Sequence, residues 1–403
     1  MKYLLLKRRP HEEIVEENYF MERASAMGTS EPDPRLSFTI ESNDLNDSQA
    51  ADARRDPEIE DVITSIPLTL IAPLEESGTG AAVADKAWGI EGVGADTSPQ
   101  DGTGVTIAVL DTGIEKDHPA FAGINFRDED LMDFTSNEEG VAGSARDLHG
   151  HGTHVAGTIF GRDVNGTRIG IARGNTRVLI AKVLGPNGGP TETIVNAIEW
   201  ALKKRTDIIS MSLGIDFMDL WCRLQKGGLP EDIALSRALE AYRSNVRLFD
   251  RVAAEVQARV ERGRGALLVA ASGNESRRDE NPKHTAAVAP PAAADGFISV
   301  GAVSQNPVAV ARFSNTSCRV CAPGVAILSA KLGGGLKILS GTSMATPHVA
   351  GVLALWVQKL FPSGQRPAKW TADVQTALEA NVKPVPSGTR ADVGVGMVQA
   401  PQP

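Results

Sequence analysis

The sequence predicts an α/β protein in which a mostly parallel sheet is flanked by helices in three layers, preceded by a small α+β unit. Two observations support this fold class. From about residue 105 onward, short apolar runs of strand length alternate with longer stretches of helical period. Before residue 80, two strand-like runs enclose one helical stretch. A chain of 403 residues is long enough to bury a large core.

The amino-terminal part divides into an arm and a unit. Residues 1–34 are mostly polar or charged without a clear period, and they predict a mobile N-terminal arm. Residues 35–80 predict the α+β unit and a linker: a strand in RLSFTI, a helix over 42–61 closed by Pro57, a strand in SIPLTLIAP, and the linker in the last residues. Residues 81–403 predict one large domain.

Charge and composition exclude several classes of function. A net charge of -9 argues against binding to nucleic acid or to an anionic membrane surface. The sequence has no apolar stretch long enough to span a bilayer, and its first residues lack the apolar core of a secretory leader. Three cysteines are too few for a disulfide framework. We therefore expect a cytoplasmic protein.

Three separate segments each carry one reactive side chain. Asp111 ends the apolar strand VTIAVLD, His151 lies between glycines where a helix is predicted to begin, and Ser343 lies in the first turn of the apolar helix of GTSMATPHVAG. Singly, an Asp is more often a turn former, a His a packing or surface residue, and a Ser an N-cap. Together they supply the acid, base and nucleophile that attack on an amide carbonyl requires.

With these segments in this order, the chain resembles the subtilisin (subtilase) family of serine proteases from about residue 88 to its end. The resemblance implies a subtilisin-like three-layer domain. It also implies that His151 deprotonates Ser343 while Asp111 orients the imidazole. A fourth match, AASGNES, implies that Asn274 and the backbone N–H of Ser343 bind the oxyanion of the tetrahedral intermediate.

The same resemblance implies where a protein or peptide substrate binds. Ser212, Leu213 and Gly214 align with the wall of the primary specificity pocket. Gly188 and Gly189 align with an edge strand that pairs with an extended peptide, a case of β-augmentation. Pro190 follows them and removes one backbone donor from that edge.

The sequence predicts no required cofactor and assigns no metal ligands, and it leaves calcium as a weakly supported alternative. Many family members bind calcium through an acidic residue a little beyond the catalytic Asp, where this chain has Ala120. Asp163 and Asn165 are oxygen donors, but two donors do not make a calcium site of six to eight oxygens. Cys318 and Cys321 have CxxC spacing, yet in a strand residues three apart point to opposite faces, which argues against a zinc or redox site.

An insertion over residues 215–262 follows the predicted pocket wall. It includes a predicted helix from about Asp232 to Arg262, with apolar residues at intervals of three and four. Such a stripe is typical of an elongated surface helix. Because the insertion leaves directly from the pocket wall, two other interpretations are that it narrows the cleft or that it docks a partner.

The unit at 35–73 resembles, more weakly, the prodomain that precedes many subtilisins. The resemblance implies that PLTLIAP occupies the peptide groove, so that the chain's own N-terminal segment is an intramolecular inhibitor, and that cleavage between residues 74 and 80 releases activity. The alternative is a permanently attached stabilising domain.

The predicted function is therefore a serine endopeptidase that works through an acyl-enzyme and is restrained by its prodomain. The alternative from another class is a catalytically silent binding or regulatory module of the same fold. A nonpeptide esterase is a third hypothesis, which the peptide-pairing edge strand disfavours.

Overall fold

The computed structural model describes residues 2–9, 36–74, 85–137, 139–175, 177–186, 188–261 and 264–403. Its strands are β1 Lys2–Arg8, β2 Phe38–Asp44, β3 Ile59–Thr64, β4 Leu68–Leu70, β5 Ile107–Asp111, β6 Leu131–Asp133, β7 Val141–Ala142, β8 Val178–Lys182, β9 Ile208–Met211, β10 Leu213–Ile215, β11 Leu267–Ala271, β12 Phe297–Val303, β13 Val320–Pro323, β14 Ile327–Ala330, β15 Leu336–Leu339, β16 Val382–Lys383 and β17 Met397–Val398. Its α-helices are α1 Asp47–Ala53, α2 Trp88–Gly92, α3 His151–Phe160, α4 Thr191–Lys203, α5 Phe217–Lys226, α6 Glu231–Val260, α7 Thr342–Leu360, α8 Trp370–Ala380 and α9 Arg390–Val393.

A large sheet of ten strands forms the middle layer, in the order β16-β17-β13-β12-β11-β9-β5-β8-β6-β7. Neighbouring strands run parallel from β17 to β6, and the edge strands β16 and β7 are antiparallel to theirs. Along β5, Ile107 and Val109 belong to one hydrophobic core and Ala108 and Leu110 to another. Successive side chains of a strand point to opposite faces, so each face of the sheet has its own core, and each core includes residues of helices. The three-layer fold is therefore as predicted.

The N-terminal unit is built on an antiparallel sheet in the order β2-β1-β3. Its central strand is β1, so the prediction of a mobile arm is wrong for residues 2–9; residues 10–35 lie outside the described residues. Tyr3 and Leu5 pack on one face of β1 and Leu4 and Leu6 on the other. Because both faces of β1 are buried, its sequence is a continuous apolar run and not an alternation of apolar and polar residues.

The predicted helix over 42–61 is also too long. The helix α1 begins after an Asn46 capping box, with its side chain accepting from the backbone N–H of Gln49, and ends at Ala53. The residues after Pro57 form β3, which pairs with β1. The predicted linker falls largely in residues 75–84, which lie outside the described residues.

The N-terminal sheet shares a hydrophobic core with the large domain. Leu4, Phe38 and Ile63 are almost fully buried in the same cluster as apolar residues of α4 and α6. An ion pair joins the two parts, because Lys2 Nζ, on a half-exposed side chain, lies 2.7 Å from Oε1 of the buried Glu192. The sheet is therefore packed as part of the protein's interior.

The insertion forms a helical hairpin of α5 and α6. The predicted long helix is confirmed, and its carboxyl-terminal half buries the expected apolar stripe, including Phe249, Val252 and Val256. In the first half of the helix the predicted apolar stripe does not face the core. Leu235 and Leu239 are exposed there, and alanines face the core instead. Within the residues described, no helix is both long and apolar enough to cross a membrane.

Candidate active site

The strand β5 and the helix α3 bring an aspartate and a histidine together. Asp111 is the last residue of β5, at the centre of the sheet, and His151 is the first residue of α3. Both side chains are buried, and His151 Nδ1 lies 2.7 Å from Asp111 Oδ1. A carboxylate at this nitrogen holds the imidazole with Nδ1 protonated and leaves Nε2 as the basic atom.

A second buried carboxylate, Asp147, fixes the turn that presents His151. Its oxygens accept from the backbone N–H of Gly150 at 2.8 Å and of Thr153 at 2.9 Å, and from the hydroxyls of Thr112 and Thr153. Burial alone would raise the pKa of Asp147, but these hydrogen bonds keep that pKa below its usual value. Sequence reasoning missed this residue, although an acidic residue just before a helix start is a recognisable capping signal.

Close backbone approach explains two glycines beside these groups. A Cβ on Gly152 would lie 2.2 Å from the carbonyl oxygen of Gly113, and Gly113 itself has φ of 107°. A larger residue at position 152 would push α3 away from the end of β5. These glycines keep the imidazole within reach of Asp111.

The helix α7 carries the candidate nucleophile. Ser343 lies in its first turn, where backbone N–H groups have no partner within the helix. The Ser343 hydroxyl oxygen lies 3.2 Å from the carbonyl oxygen of Ile71 and 3.4 Å from that of Ser212. Among the described residues, none hydrogen-bonds His151 Nε2. The serine hydroxyl thus points to backbone carbonyls and not to the imidazole.

The side chain of Asn274 is held with its amide N–H2 facing the cleft. Its Oδ1 accepts from the backbone N–H and the hydroxyl of Thr342, both at 2.9 Å. Its Nδ2 donates to the carbonyl oxygen of Ala72 at 3.1 Å. A fixed amide donor beside the nucleophile is the arrangement that stabilises an oxyanion.

Residues 68–74, which we call the groove segment, lie across this site. The strand β4 pairs antiparallel with β10, with Thr69 opposite Gly214, and on its other side Leu68 exchanges two backbone hydrogen bonds with Gly189. Past the serine, Leu74 exchanges two more with Ser340. The segment therefore occupies the groove on both sides of the nucleophile, as the sequence predicts for PLTLIAP.

The predicted substrate contacts surround the groove segment. Ile71 lies against Gly214, where an added Cβ would come within 3.3 Å of its side chain. The Ser212 hydroxyl donates to the carbonyl oxygen of Ser343 at 3.0 Å. Gly188 has φ of 83°, and a Cβ there would lie 2.2 Å from the carbonyl oxygen of Leu68. Pro190 is the N-cap residue of α4 and lies beyond the pairing at Gly189.

Comparison with known proteins agrees with this geometry. Residues 102–397 match the family model described as "Subtilase family". The "Intracellular serine protease" of Paenibacillus polymyxa is 37% identical over 268 residues, which cover 66% of this chain and 70% of that protein. The chain belongs to the subtilase family.

Other relatives give the same result. The "Major intracellular serine protease" of Bacillus subtilis (strain 168) is 38% identical over 267 residues, covering 63% of this chain and 68% of that protein. The "Subtilisin" of Bacillus pumilus is 32% identical over 301 residues, covering 74% of this chain and 91% of that protein. This subtilase is a subtilisin-type serine endopeptidase, and its substrates are proteins or peptides.

Two further histidines of the subtilase are buried beside the site. Burial lowers the pKa of His154 to about 3 and that of His348 to about 4. His154 Nε2 lies 3.1 Å from the carbonyl oxygens of Ile327 and Lys337 and so donates to one or both. These neutral imidazoles position backbone and are not placed to transfer a proton to a substrate.

Arginine side chains bind the loop that carries Asp163 and Asn165. Asp163 forms an ion pair with Arg173 at 2.7 Å, and Arg162 donates to the carbonyl oxygens of Phe160 and Asn175. No group of three or more His, Cys, Asp or Glu residues suited to a metal ion occurs within the described ranges.

The two cysteines of the CxxC spacing are buried thiols. Burial raises the pKa of Cys318 to about 12, and it also raises the pKa of Cys321. Cys318 Sγ donates to the carbonyl oxygen of Asp392 at 3.3 Å. Because the thiolate is the reactive form, both are poor nucleophiles.

Proposed function

We propose that Ser343, His151 and Asp111 form the catalytic triad of this endopeptidase. His151 Nε2 removes the proton of the Ser343 hydroxyl, the alkoxide attacks the scissile carbonyl, and His151 then protonates the leaving amine. Water then hydrolyses the acyl-enzyme through the same steps. The observation that carries the proposal is the buried 2.7 Å contact between Asp111 and His151 at the carboxyl end of the sheet, beside the start of α7.

We also propose that Asn274 and the Ser343 backbone N–H bind the oxyanion. The two hydrogen bonds from Thr342 prevent the Asn274 amide from turning away from the cleft. Removing the amide should lower turnover by about 10²–10³-fold, the effect reported for the corresponding amide of subtilisin itself.

We propose that the groove segment restrains this activity. The nucleophile contacts the carbonyl oxygen of Ile71, whereas Asn274 binds the next carbonyl, that of Ala72. No single carbonyl is therefore both attacked and held in the oxyanion site. The paired backbone of Leu68 and Leu74 also fills the positions that a substrate would use. Cleavage within residues 74–80, most of which lie outside the described residues, would free the groove.

We propose that the enzyme needs no cofactor. Asp163 already has Arg173 as its partner, so a calcium ion there would have to displace an arginine. A chelator should leave the melting temperature unchanged. We further propose that the enzyme works in the cytoplasm, which the three free thiols and the two relatives named as intracellular support.

The decisive experiment compares the wild type with Ser343→Ala, before and after limited proteolysis of the linker. The wild type should react with a fluorophosphonate once the groove is free, and Ser343→Ala should not. Peptide hydrolysis should fall roughly 10⁶-fold in the variant, the loss reported for subtilisin itself. Ser363→Ala, which changes an exposed serine far from the site, serves as the control.

Intact mass separates the two roles of the N-terminal unit. Self-processing in the linker of the wild type, absent in Ser343→Ala, supports a restraining prodomain. An unprocessed chain that hydrolyses peptides at full rate would instead support the permanently attached stabilising domain. A freed domain that neither reacts nor hydrolyses would support the silent binding module.

A further inference from the structure

A cavity of about 380 Å³ lies beside His151, where the groove segment passes the nucleophile. Leu70, Ala72 and Pro73 of the groove segment line one side of it. The hairpin of β14 and β15 lines the other side, with Lys331 and Lys337. A substrate chain that replaced the groove segment would run along this cavity with the residues that follow its cleaved bond.

The described lining of this cavity carries positive charge only. Its ionisable residues are the two lysines and three histidines, and it includes no aspartate or glutamate. His154 remains neutral at physiological pH, since burial lowers its pKa to about 3. The lysines are therefore the fixed charges of the cavity. This is the reverse of the whole chain, in which Asp and Glu outnumber Lys and Arg by 50 to 41.

The hairpin that carries the lysines is held at both ends. At its base, His154 Nε2 contacts the carbonyl oxygens of Ile327 and Lys337. At its tip, His118 Nε2 lies 3.0 Å from the carbonyl oxygen of Gly335, and Glu115 accepts from the backbone N–H of Gly333 at 2.9 Å. A subsite on a fixed backbone selects its ligand better than one on a mobile loop.

The sequence directly after the groove segment is acidic. Leu74, which pairs with Ser340 directly after the hairpin, is followed in the sequence by Glu75 and Glu76.

We propose that Lys331 and Lys337 form a subsite that selects substrates with an aspartate or glutamate shortly after the cleaved bond. The proposal rests on the peptidase activity proposed above and adds the class of substrate. Each lysine attracts the carboxylate across a partly solvated cavity, so the effect on specificity is moderate and weakens with salt.

The test uses three peptides that differ only in the residues after the cleaved bond, which are Glu, Gln or Lys. The linker-cleaved enzyme should hydrolyse the Glu peptide with a kcat/KM about two- to fivefold above that of the Gln peptide at low salt, as expected for ion pairs near a surface. The ratio should fall in Lys331→Gln and Lys337→Gln, and Lys331→Glu should shift the preference towards the Lys peptide. The exposed Lys283→Gln should keep the wild-type ratio.

The outcomes separate this subsite from the function on which it rests. Equal hydrolysis of the Glu and Gln peptides, or a preference that survives the change of both lysines, would overturn the subsite and leave the peptidase standing. Failure to hydrolyse any peptide, together with no fluorophosphonate labelling, would overturn both. Mass spectrometry of the products confirms that all three peptides are cut at the same bond.

Discussion

The sheet β2-β1-β3 and the groove segment belong to the same N-terminal unit, but they are attached in different ways. The sheet contributes fully buried side chains such as Leu4 to a core shared with α4 and α6. The groove segment buries only Leu68 in this core and places Ile71 against Gly214, and much of the rest of its attachment is backbone hydrogen bonds to Gly189, β10 and Ser340. Burial of apolar area is the larger stabilising term, whereas a hydrogen bond that water can replace contributes little net free energy.

Two buried polar contacts mark the boundary between them. Asn245 of α6 donates to the carbonyl oxygen of Thr64 at 2.9 Å, and the hydroxyl of Thr191 donates to that of Ile66 at 2.8 Å. Both contacts precede β4. By this comparison, the chain up to Leu68 is held more firmly than residues 69–74, and α6 of the insertion is part of the anchor. On this view, the partner that the insertion docks is the chain's own N-terminal sheet.

The largest effect should follow from a cavity in the sheet. Leu4→Ala should lower the free energy of unfolding of the whole protein by about 2–5 kcal/mol, because the residue lies fully buried in the shared core. Urea unfolding in the Ser343→Ala background measures this without self-digestion. Lys7→Ala, which breaks a half-exposed ion pair with Glu41, should cost at most about 1 kcal/mol. A separate early transition confined to Leu4→Ala would show that the sheet is an independent unit.

A smaller effect, on activity, should follow from loosening the groove segment. Leu74→Pro removes the N–H that donates to Ser340 at 2.8 Å, and Leu74→Ala keeps it. The lost hydrogen bond contributes about 1 kcal/mol to the free energy that holds the groove segment in place. Basal hydrolysis by the unprocessed chain should therefore be about fivefold higher in the proline variant than in the alanine variant. Initial rates, with intact mass checked in parallel, provide the measurement. Equal rates in the two variants would mean that this hydrogen bond does not help to close the groove.

The smallest effect concerns the charges that fasten the sheet. Burial would raise the pKa of Glu60, but hydrogen bonds with Arg251 and Arg8 lower it below its usual value of 4.5. The stabilisation is therefore present above pH 4.5 and is lost as the pH falls through the lowered pKa. Glu60→Gln should cost about 1 kcal/mol or less at pH 7.

The difference between wild type and Glu60→Gln should shrink as the pH falls below 4.5 and disappear once the pH is below the lowered pKa of Glu60, where both side chains are uncharged. Urea unfolding at pH 7 and over a series of acidic pH values measures it. The exposed Glu58→Gln is the matched control and should show no such change. A difference that persists in acid would assign the effect to packing and not to charge.

The large domain was more predictable from sequence than the N-terminal unit. The strand that ends at Asp111 and the helices that begin near His151 and Ser343 were predicted because each combines a long apolar pattern with glycines at its turn. The strand β1 was missed because its partners lie some 30 to 60 residues away in the chain, and because burial on both faces leaves no alternation to detect.

Within the site, the sequence predicted that Asp111 and His151 meet, but not that the Ser343 hydroxyl faces backbone carbonyl oxygens. The hydrogen bonds of Asp147 include one from the hydroxyl of Thr112. Thr112 is 35 residues away in the sequence and comes close to Asp147 only when the chain folds. The exposure of Leu235 on α6 shows a second limit. A stripe of large apolar residues suggested the buried face there, but the smaller alanines pack against the core and decide the orientation.

The pairing of Lys2 with Glu192 gives a buried carboxylate of the enzyme its counter-charge. A chain trimmed past Lys2, or fused so that this residue is drawn away, would leave a carboxylate enclosed at the first turn of α4 with its partner gone. Lys2 is thus half-exposed and yet tied to the interior by its charge, which makes it a poor place for an engineered junction.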